Sequence, residues 1–262
     1  MSSILTVLVI AVVLLCFVWF EFILRILYAF GSRKKAYELS LRYETRAIHL
    51  IFSLLATYRG FRITYENCLN GPLPRRFLVV SNHQSLFDIP LIMEMMPKDT
   101  KARFVAKKSL GRGIPLISFF LNRLGHALVQ QDGDPVHAMQ AIEKMMLRSR
   151  KEGTLPVIFP EGHRSTTGAL RPFHSAGFRK MLEVDPLPIL VVCIDGGWKY
   201  AKLGDFFKGF GKEPYTIRFV ALLPAPETKQ QAKQSLATCR QLIEDALNDI
   251  RAETRGAKKK GS

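Results

Sequence analysis

A long apolar run at the start of the chain restricts where the protein can reside. No charged residue occurs from Ile4 to Phe20, and the run then continues to Phe30 with two charged interruptions. Up to Phe20 the length of the run is at the lower limit for crossing a bilayer. Its extension to Phe30 makes it long enough to cross or to insert deeply. A buried core helix and a cleaved signal peptide are the alternatives. A signal peptide is disfavoured because no basic residue precedes the run and Ala29–Ser32 is a poor cleavage site. We therefore expect a membrane anchor.

Basic residues follow the apolar run directly and indicate its orientation. Arg33, Lys34 and Lys35 come next, and the chain as a whole has 38 Lys and Arg against 22 Asp and Glu, a formal net charge of +16. Lys and Arg beside an anchor hold that side in the cytoplasm, and each adds ~1 kcal/mol of attraction to anionic lipid. No zinc finger or aromatic-rich RNA motif occurs. We expect an anionic membrane surface as a partner, on the cytoplasmic face of the inner membrane in a bacterium, and no nucleic acid.

Residues 36–61 continue with apolar side chains at helical spacing, which predicts a second helix. The two helices would be hinged at Gly31-Ser32 and together form an N-terminal membrane-anchoring unit over residues 1–61. The four cysteines lie far apart with no C-x-x-C pair. That spacing excludes a zinc ribbon and a disulfide framework, and it favours a reducing compartment.

The rest of the chain alternates short apolar runs with amphipathic segments. Continuous apolar runs are typical of strands buried on both faces of a sheet, and strands that alternate with helices indicate an α/β fold. The predicted strands are residues 77–81, 104–106, 127–129, 156–159, 189–194 and 215–223; the predicted helices are 86–96, 116–124, 134–153 and 232–250. We expect an α/β domain over residues 62–262, with a mixed, largely parallel central sheet flanked by helices, behind the hydrophobic two-helix motif.

The first block that could take part in catalysis is Asn82-His83-Gln84-Ser85-Leu86-Phe87-Asp88, at a strand end. Loops at strand ends are exposed while the flanking elements hold them rigid. His83 is suited to act as a general base near neutral pH, and Asp88 could fix the tautomer of its ring. Five helical residues would separate the two side chains by ~140°. The two can therefore meet only if His83 stays in the loop and Asp88 lies in the first turns of the helix.

The second block is Phe159-Pro160-Glu161-Gly162-His163-Arg164-Ser165, which also follows a predicted strand. Together the two blocks resemble the N-H-x4-D and F-P-E-G-x-R-S signatures of the glycerolipid acyltransferase family, whose best-known members acylate 1-acylglycerol 3-phosphate. The resemblance covers about residues 75–200. It implies a membrane-bound 1-acylglycerol-3-phosphate O-acyltransferase with a lysolipid acceptor and an acyl-CoA or acyl-carrier-protein donor. It also implies that neither a metal nor a covalent acyl-enzyme takes part.

The resemblance also implies roles for individual residues. His83 would take the proton from the acceptor hydroxyl, and Asp88 would orient His83. Arg164 would bind the acceptor phosphate with a planar two-donor fork. The complete set assigned to substrate binding is Asn82, Lys107, Lys108, Gln131, Glu161, Gly162, His163, Arg164 and Ser165.

Several positions depart from the family pattern, and three alternatives remain. His163 replaces a Thr, and Gln131 stands where the family has an Arg, so the acceptor could be another lysophospholipid or a lyso-aminolipid. A catalytically silent lipid-binding relative is the second alternative. A metal hydrolase is the third, although no H-E-x-x-H cluster exists. Its possible ligands are His83, Asp88, Glu161, His163 and His174.

Overall fold

The computed structural model describes residues 3–59, 62–97, 100–130, 133–200 and 215–260. The helices are α1 (Ser3–Phe30), α2 (Arg33–Arg59), α3 (Asp88–Met95), α4 (Ile117–Arg123), α5 (Pro135–Glu152), α6 (Ser175–Val184) and α7 (Lys229–Lys260). The strands are β1 (Ile63–Asn67), β2 (Leu78–Ser81), β3 (Ala102–Lys107), β4 (Ala127–Val129), β5 (Leu155–Ile158), β6 (Ile189–Asp195) and β7 (Tyr215–Leu223). Short 3₁₀ turns cover Lys108–Gly111 and Gly197–Tyr200.

The strands form a seven-stranded sheet in the order β1-β7-β6-β2-β5-β3-β4. All neighbouring strands are parallel except β6 and β7, which are antiparallel. The expected α/β class with a mixed, largely parallel sheet is therefore confirmed. Sequence reasoning missed β1 and α6, and it began α3 near Leu86, two residues before its observed start at Asp88.

Both faces of the sheet are covered, which explains the continuous apolar runs. In β6, Ile189, Val191 and Cys193 pack with α5, α6 and α7 in one core. The alternate residues Leu190, Val192 and Ile194 belong to a second core with α3. Strand residues point alternately to opposite faces, so the positions from Ile189 to Ile194 are buried by one layer or the other.

The ends of α5 form as the sequence predicts. The Asp134 side chain accepts a hydrogen bond from the backbone N–H of Val136 (2.9 Å), and Pro135 occupies the first turn. Gly153 closes the helix in the left-handed conformation, at φ 69°. Glycine adopts this conformation without the steric penalty that a side chain brings.

Helices α1 and α2 meet at Gly31-Ser32, where sequence analysis placed the hinge. Ala11–Phe30 is long and apolar enough to cross a membrane, with a mean hydropathy of 2.2. Only 6% of this apolar stretch is buried inside the protein. The inner side of α1 contributes Leu24 to a small core with Leu116 and Phe119. Glu21, within the apolar helix, accepts a hydrogen bond from the backbone N–H of Leu116 (2.6 Å). Helix α1 is therefore joined to the start of α4.

Helix α2 docks on the α/β domain through polar side chains. The Tyr37 hydroxyl donates to Glu152 (2.7 Å), and Glu44 lies 3.8 Å from the buried guanidinium of Arg103. Burial lowers the pKa of His126, whose Nδ1 accepts a hydrogen bond from the backbone N–H of Phe104 (3.1 Å). Its Nε2 lies 3.6 Å from the Glu44 carboxylate. The division of the chain at residue 61 stays a prediction.

Candidate active site

The candidate site lies at one edge of the sheet. Strands β2, β5 and β3 are parallel neighbours, so their carboxyl ends meet at the same edge. The 82–88 loop follows β2 and the 159–165 loop follows β5, while Lys107 is the last residue of β3 and Lys108 begins the turn after it. The topology therefore brings the two motif blocks together, as expected for ligand sites in open α/β sheets.

His83 and Asp88 form a hydrogen-bonded pair. The Nδ1 atom of His83 lies 2.7 Å from Oδ2 of Asp88. His83 remains in the loop while Asp88 is the first residue of α3, which is the arrangement that lets residues five apart meet. Asp88 is fully buried, whereas the His83 side chain is 14% exposed. Because Nδ1 is engaged by Asp88, Nε2 is the ring nitrogen left for a substrate.

The Asp88 carboxylate is held by more than His83. Its Oδ2 also accepts hydrogen bonds from the backbone N–H groups of Gln84 (2.6 Å) and Ser85 (2.8 Å). Its Oδ1 accepts a hydrogen bond from the hydroxyl of Tyr215. Sequence reasoning missed Tyr215, which was identified only as the first residue of a strand. A buried tyrosine hydroxyl requires a hydrogen-bond partner, and that requirement was the available clue.

Glu161 connects the two loops. Its Oε1 accepts a hydrogen bond from the backbone N–H of His83 (2.7 Å), and its Oε2 accepts one from the backbone N–H of Arg171 (2.8 Å). Burial raises the pKa of Glu161, although both backbone hydrogen bonds act in the opposite direction. The side chain is 1% exposed and both oxygens are engaged. Glu161 is therefore a brace between the two loops, and its assignment to substrate binding stays a prediction.

The backbone and ring of His83 are held from further directions. Its carbonyl oxygen accepts a hydrogen bond from the backbone N–H of Ser165 (2.7 Å). Its ring stacks on Phe159, with centroids 4.2 Å apart and planes at 20°. Phe159 in turn stacks on Phe104 at 6.3 Å. The orientation of the imidazole is therefore set by both loops and by the core beneath them.

Asn82 is likewise a structural tie, and its assignment to substrate binding stays a prediction. Its amide donates to the carbonyl oxygen of Ile194 (2.7 Å) and accepts from the N–H of the same residue (2.8 Å). Asn82 is 1% exposed. It fixes the end of β2 against β6, so it positions the His83 backbone without reaching the open edge.

The remaining predicted residues divide between buried and exposed positions. Gly162 and His163 are exposed and Arg164 is half-buried, and Gly162 turns the chain at φ 68°. Ser165 is buried, and its hydroxyl has no hydrogen-bond partner among the described residues. Lys107 and Lys108 are exposed at the end of β3. Gln131 lies outside the described residues, so its predicted role stays a prediction.

A second polar network, which the sequence did not reveal, flanks the 82–88 loop. The Gln84 amide donates to Asp195 (3.2 Å). Arg251 on α7 donates to both carboxylate oxygens of Asp195, at 2.8 and 3.1 Å, and to the carbonyl of Gly168 (2.7 Å). The C-terminal helix thus supports the loop through a two-donor contact. In the described part of the chain, no group of three His, Cys, Asp or Glu side chains is arranged to hold a metal ion.

A family model described as Acyltransferase matches residues 62–195. The chain is 34% identical over 121 residues to a 1-acyl-sn-glycerol-3-phosphate acyltransferase of Cocos nucifera, covering 46% of this chain and 38% of that protein. It is 30% identical over 148 residues to the enzyme of the same name from Limnanthes douglasii, covering 56% and 50%. To the alpha form from Mus musculus it is 25% identical over 133 residues, covering 51% and 45%. The chain thus spans at most half the length of these relatives.

The fold is also similar to a solved structure. The crystal structure of the 1-acyl-sn-glycerophosphate (LPA) acyltransferase PlsC from Thermotoga maritima matches with a TM-score of 0.58 and 20% identity. The match covers 92% of this chain and 98% of that chain. The shared fold therefore extends over most of the chain, beyond residues 62–195.

The bracing role of Glu161 can be tested with Glu161→Gln. A glutamine offers a single acceptor oxygen, so one of the two backbone N–H groups would face an NH₂ donor. Leaving a buried donor without its partner costs ~1–3 kcal/mol. We expect a lower unfolding midpoint for the full-length protein in detergent. Glu183→Gln, at an exposed position on α6, is the control and should leave the midpoint in place; equal midpoints for both variants would contradict the brace.

Proposed function

The chain belongs to the acyltransferase family, and we propose on that premise that it moves a fatty acyl group from a thioester to the free hydroxyl of a lysolipid. The observation that carries the proposal is the hydrogen bond between His83 Nδ1 and the buried Asp88 carboxylate (2.7 Å). It leaves an imidazole whose tautomer is set and whose second nitrogen can accept a proton.

The reaction proceeds through one proton relay. His83 Nε2 takes the proton from the acceptor hydroxyl while that oxygen attacks the thioester carbonyl carbon. The new carbon–oxygen bond gives a tetrahedral intermediate, and its collapse breaks the carbon–sulfur bond. The imidazolium returns the proton to the departing sulfur, so His83 ends as it began. Asp88 stays ionised throughout and stabilises the imidazolium.

We propose 1-acyl-sn-glycerol 3-phosphate as the acceptor and phosphatidic acid as the product. The names of the similar proteins support this choice. Arg164 and the exposed pair Lys107 and Lys108 follow strands that end at the same edge as His83, and they supply positive charge for a phosphate monoester. The donor is acyl-CoA or acyl-carrier protein.

We further propose that α1 inserts into the membrane and that the basic residues after it lie against anionic lipid on the cytoplasmic side. Many apolar side chains of α1 are exposed, among them Leu15 at 68%, Trp19 at 65% and Phe30 at 89%. Covering such side chains with lipid is favourable by about 25 cal/mol per Å². The acceptor is itself a membrane lipid, so insertion would place enzyme and substrate in the same leaflet.

The substrate assignment is tested by incubating the purified full-length protein with labelled acyl-CoA or acyl-carrier protein and a panel of lysolipids. We expect the highest kcat/KM with 1-acylglycerol 3-phosphate. A higher kcat/KM with a neutral or zwitterionic lysolipid would contradict the proposed acceptor but not the proposed reaction. Absence of transfer to every lysolipid from both donors would overturn the function.

The base is tested with His83→Ala and Asp88→Asn. Loss of a general base lowers the rate by about 10²–10⁴-fold, and the asparagine should fall in a similar range because it favours the wrong tautomer. His137→Ala is the matched control, since His137 is 82% exposed and pairs with Asp134 at the start of α5. Turnover within a few-fold of wild type in His83→Ala would exclude the mechanism.

The anchor is tested by washing membranes that contain the full-length protein or a form without residues 1–30. The full-length protein should resist high salt, because hydrophobic insertion is not screened. The shortened form should wash off, since charge attraction decays within a Debye length of about 8 Å at physiological salt. Release of the full-length protein by salt alone would contradict insertion.

A further inference from the structure

We propose that Tyr215 is a positioning residue for the His83–Asp88 pair, and that its hydroxyl holds the Asp88 carboxylate in the orientation that sets the imidazole. The inference rests on the proposed function for its kinetic consequence, although the contact itself belongs to the structure. Tyr215 lies outside residues 62–195, the part of the chain that the family model matches. It is thus a site residue supplied by the C-terminal part of the chain.

The two oxygens of Asp88 have different roles. Oδ2 carries the contact to His83 and two backbone hydrogen bonds from Gln84 and Ser85. Oδ1 accepts the hydroxyl of Tyr215. Asp88 is fully buried, so water does not replace a donor that is lost. A donor on Oδ1 stops the carboxylate from rotating about its axis, which would break the alignment of Oδ2 with the ring.

The reversed direction of β7 brings Tyr215 to the site. Because β7 is antiparallel to β6, Thr216 pairs with Asp195 at the carboxyl end of β6. The first residues of β7 therefore lie at the same edge as the 82–88 loop. The backbone N–H of Tyr215 also donates to the carbonyl of Arg62 (2.9 Å), next to β1. The hydroxyl thus projects from a residue fixed within the sheet, which makes it a rigid support.

The space around the hydroxyl is fitted to this contact. A Cβ atom added at Gly197 would overlap the Tyr215 hydroxyl oxygen and lie 2.7 Å from its Cζ. The same atom would lie 3.1 Å from the Cβ of Ser85. Any side chain at position 197 would push Tyr215 away from Asp88. Glycine is therefore required at position 197 by the close approach of Tyr215. Backbone conformation is not the reason, because the φ angle of Gly197 is not positive.

Tyr215 remains a donor over the working pH range. Burial, together with the charge of Asp88, raises the pKa of Tyr215 well above its usual value. A hydroxyl that stays protonated can only donate to a carboxylate, so the direction of the bond does not change with pH. Other titratable groups near the pair include Glu161, beside the His83 backbone, and Asp195, at the end of β6, which pairs with Arg251.

The hydrogen bond also moderates the charge that Asp88 presents to His83. A donor on one carboxylate oxygen withdraws negative charge from the other. Without it, the carboxylate attracts the imidazolium more strongly, and the ring holds its proton to higher pH. Two effects follow from loss of the hydroxyl: poorer alignment, which lowers kcat, and a ring that becomes neutral only at higher pH. A residue that merely fills the core would produce neither effect on its own.

The test is Tyr215→Phe in the full-length enzyme in detergent, measured with acyl-CoA and 1-acylglycerol 3-phosphate. We expect kcat to fall about tenfold with the acceptor KM unchanged. The acid limb of the kcat/KM profile should move to higher pH. Tyr37→Phe is the matched control, because it also removes a tyrosine hydroxyl from a carboxylate, Glu152. It should leave both kcat and the pH profile as in wild type.

A second readout does not depend on turnover. With the histidine rings labelled at Cε1, NMR follows the titration of His83, whose signal is identified by its absence in His83→Gln. The titration midpoint should rise in Tyr215→Phe, and it should also change in Gly197→Ala, which keeps the hydroxyl but displaces it. Unchanged midpoints together with wild-type kcat in Tyr215→Phe would overturn the inference. If those readouts are unchanged while His83→Ala still abolishes transfer, only the role of Tyr215 is overturned. If the titration midpoint shifts in Tyr215→Phe but the wild-type protein transfers no acyl group, only the proposed reaction is overturned.

Discussion

The arrangement of the site depends on one buried carboxylate. Asp88 is enclosed by α3, the 82–88 loop and β7, and the described donors are two backbone N–H groups, an imidazole nitrogen and a tyrosine hydroxyl. An unpaired buried carboxylate would be strongly unfavourable, so the fold has to deliver these donors together. The same donors fix Asp88 as the support of His83. Stability and site geometry are therefore two results of satisfying a single charge.

The two loops of the site behave as one unit because each fixes the backbone of the other. Glu161 accepts the N–H of His83, and Ser165 donates its N–H to the carbonyl of the same residue. His83 is thus held at both of its backbone polar groups by the loop after the neighbouring strand. A movement of either loop would misplace the ring, which is the kind of preorganisation that precise proton transfer requires.

Much of this arrangement was accessible from the sequence, and the missing parts share a physical cause. The contact between His83 and Asp88 followed from their spacing at a strand end, and helix α5 was predicted over residues 134–153, within one residue of its observed ends. Tyr215 and Arg251 were not found, because their partners lie far away in sequence and depend on strand order. The backbone contacts of Asn82 and Glu161 were not predicted, since a motif identifies which residues cluster but does not say whether a side chain faces a ligand or the backbone. Strand β1 escaped detection because its mixed polar sequence, Ile-Thr-Tyr-Glu-Asn, lies at the edge of the sheet.

The bond between Glu21 and the backbone of Leu116 links the surroundings of α1 to the order of the α/β domain. Leu116 adopts a positive φ of 63°, a conformation that a leucine maintains only when neighbouring contacts hold it. Leu116 is the last residue of the segment between β3 and α4. That segment begins at Lys108, beside the sheet edge that contains His83. By thermodynamic linkage, any medium that stabilises α1 in this position also stabilises that segment, and a medium that displaces α1 weakens it. The proposed insertion of α1 into lipid would in this way also stabilise the loop next to the site.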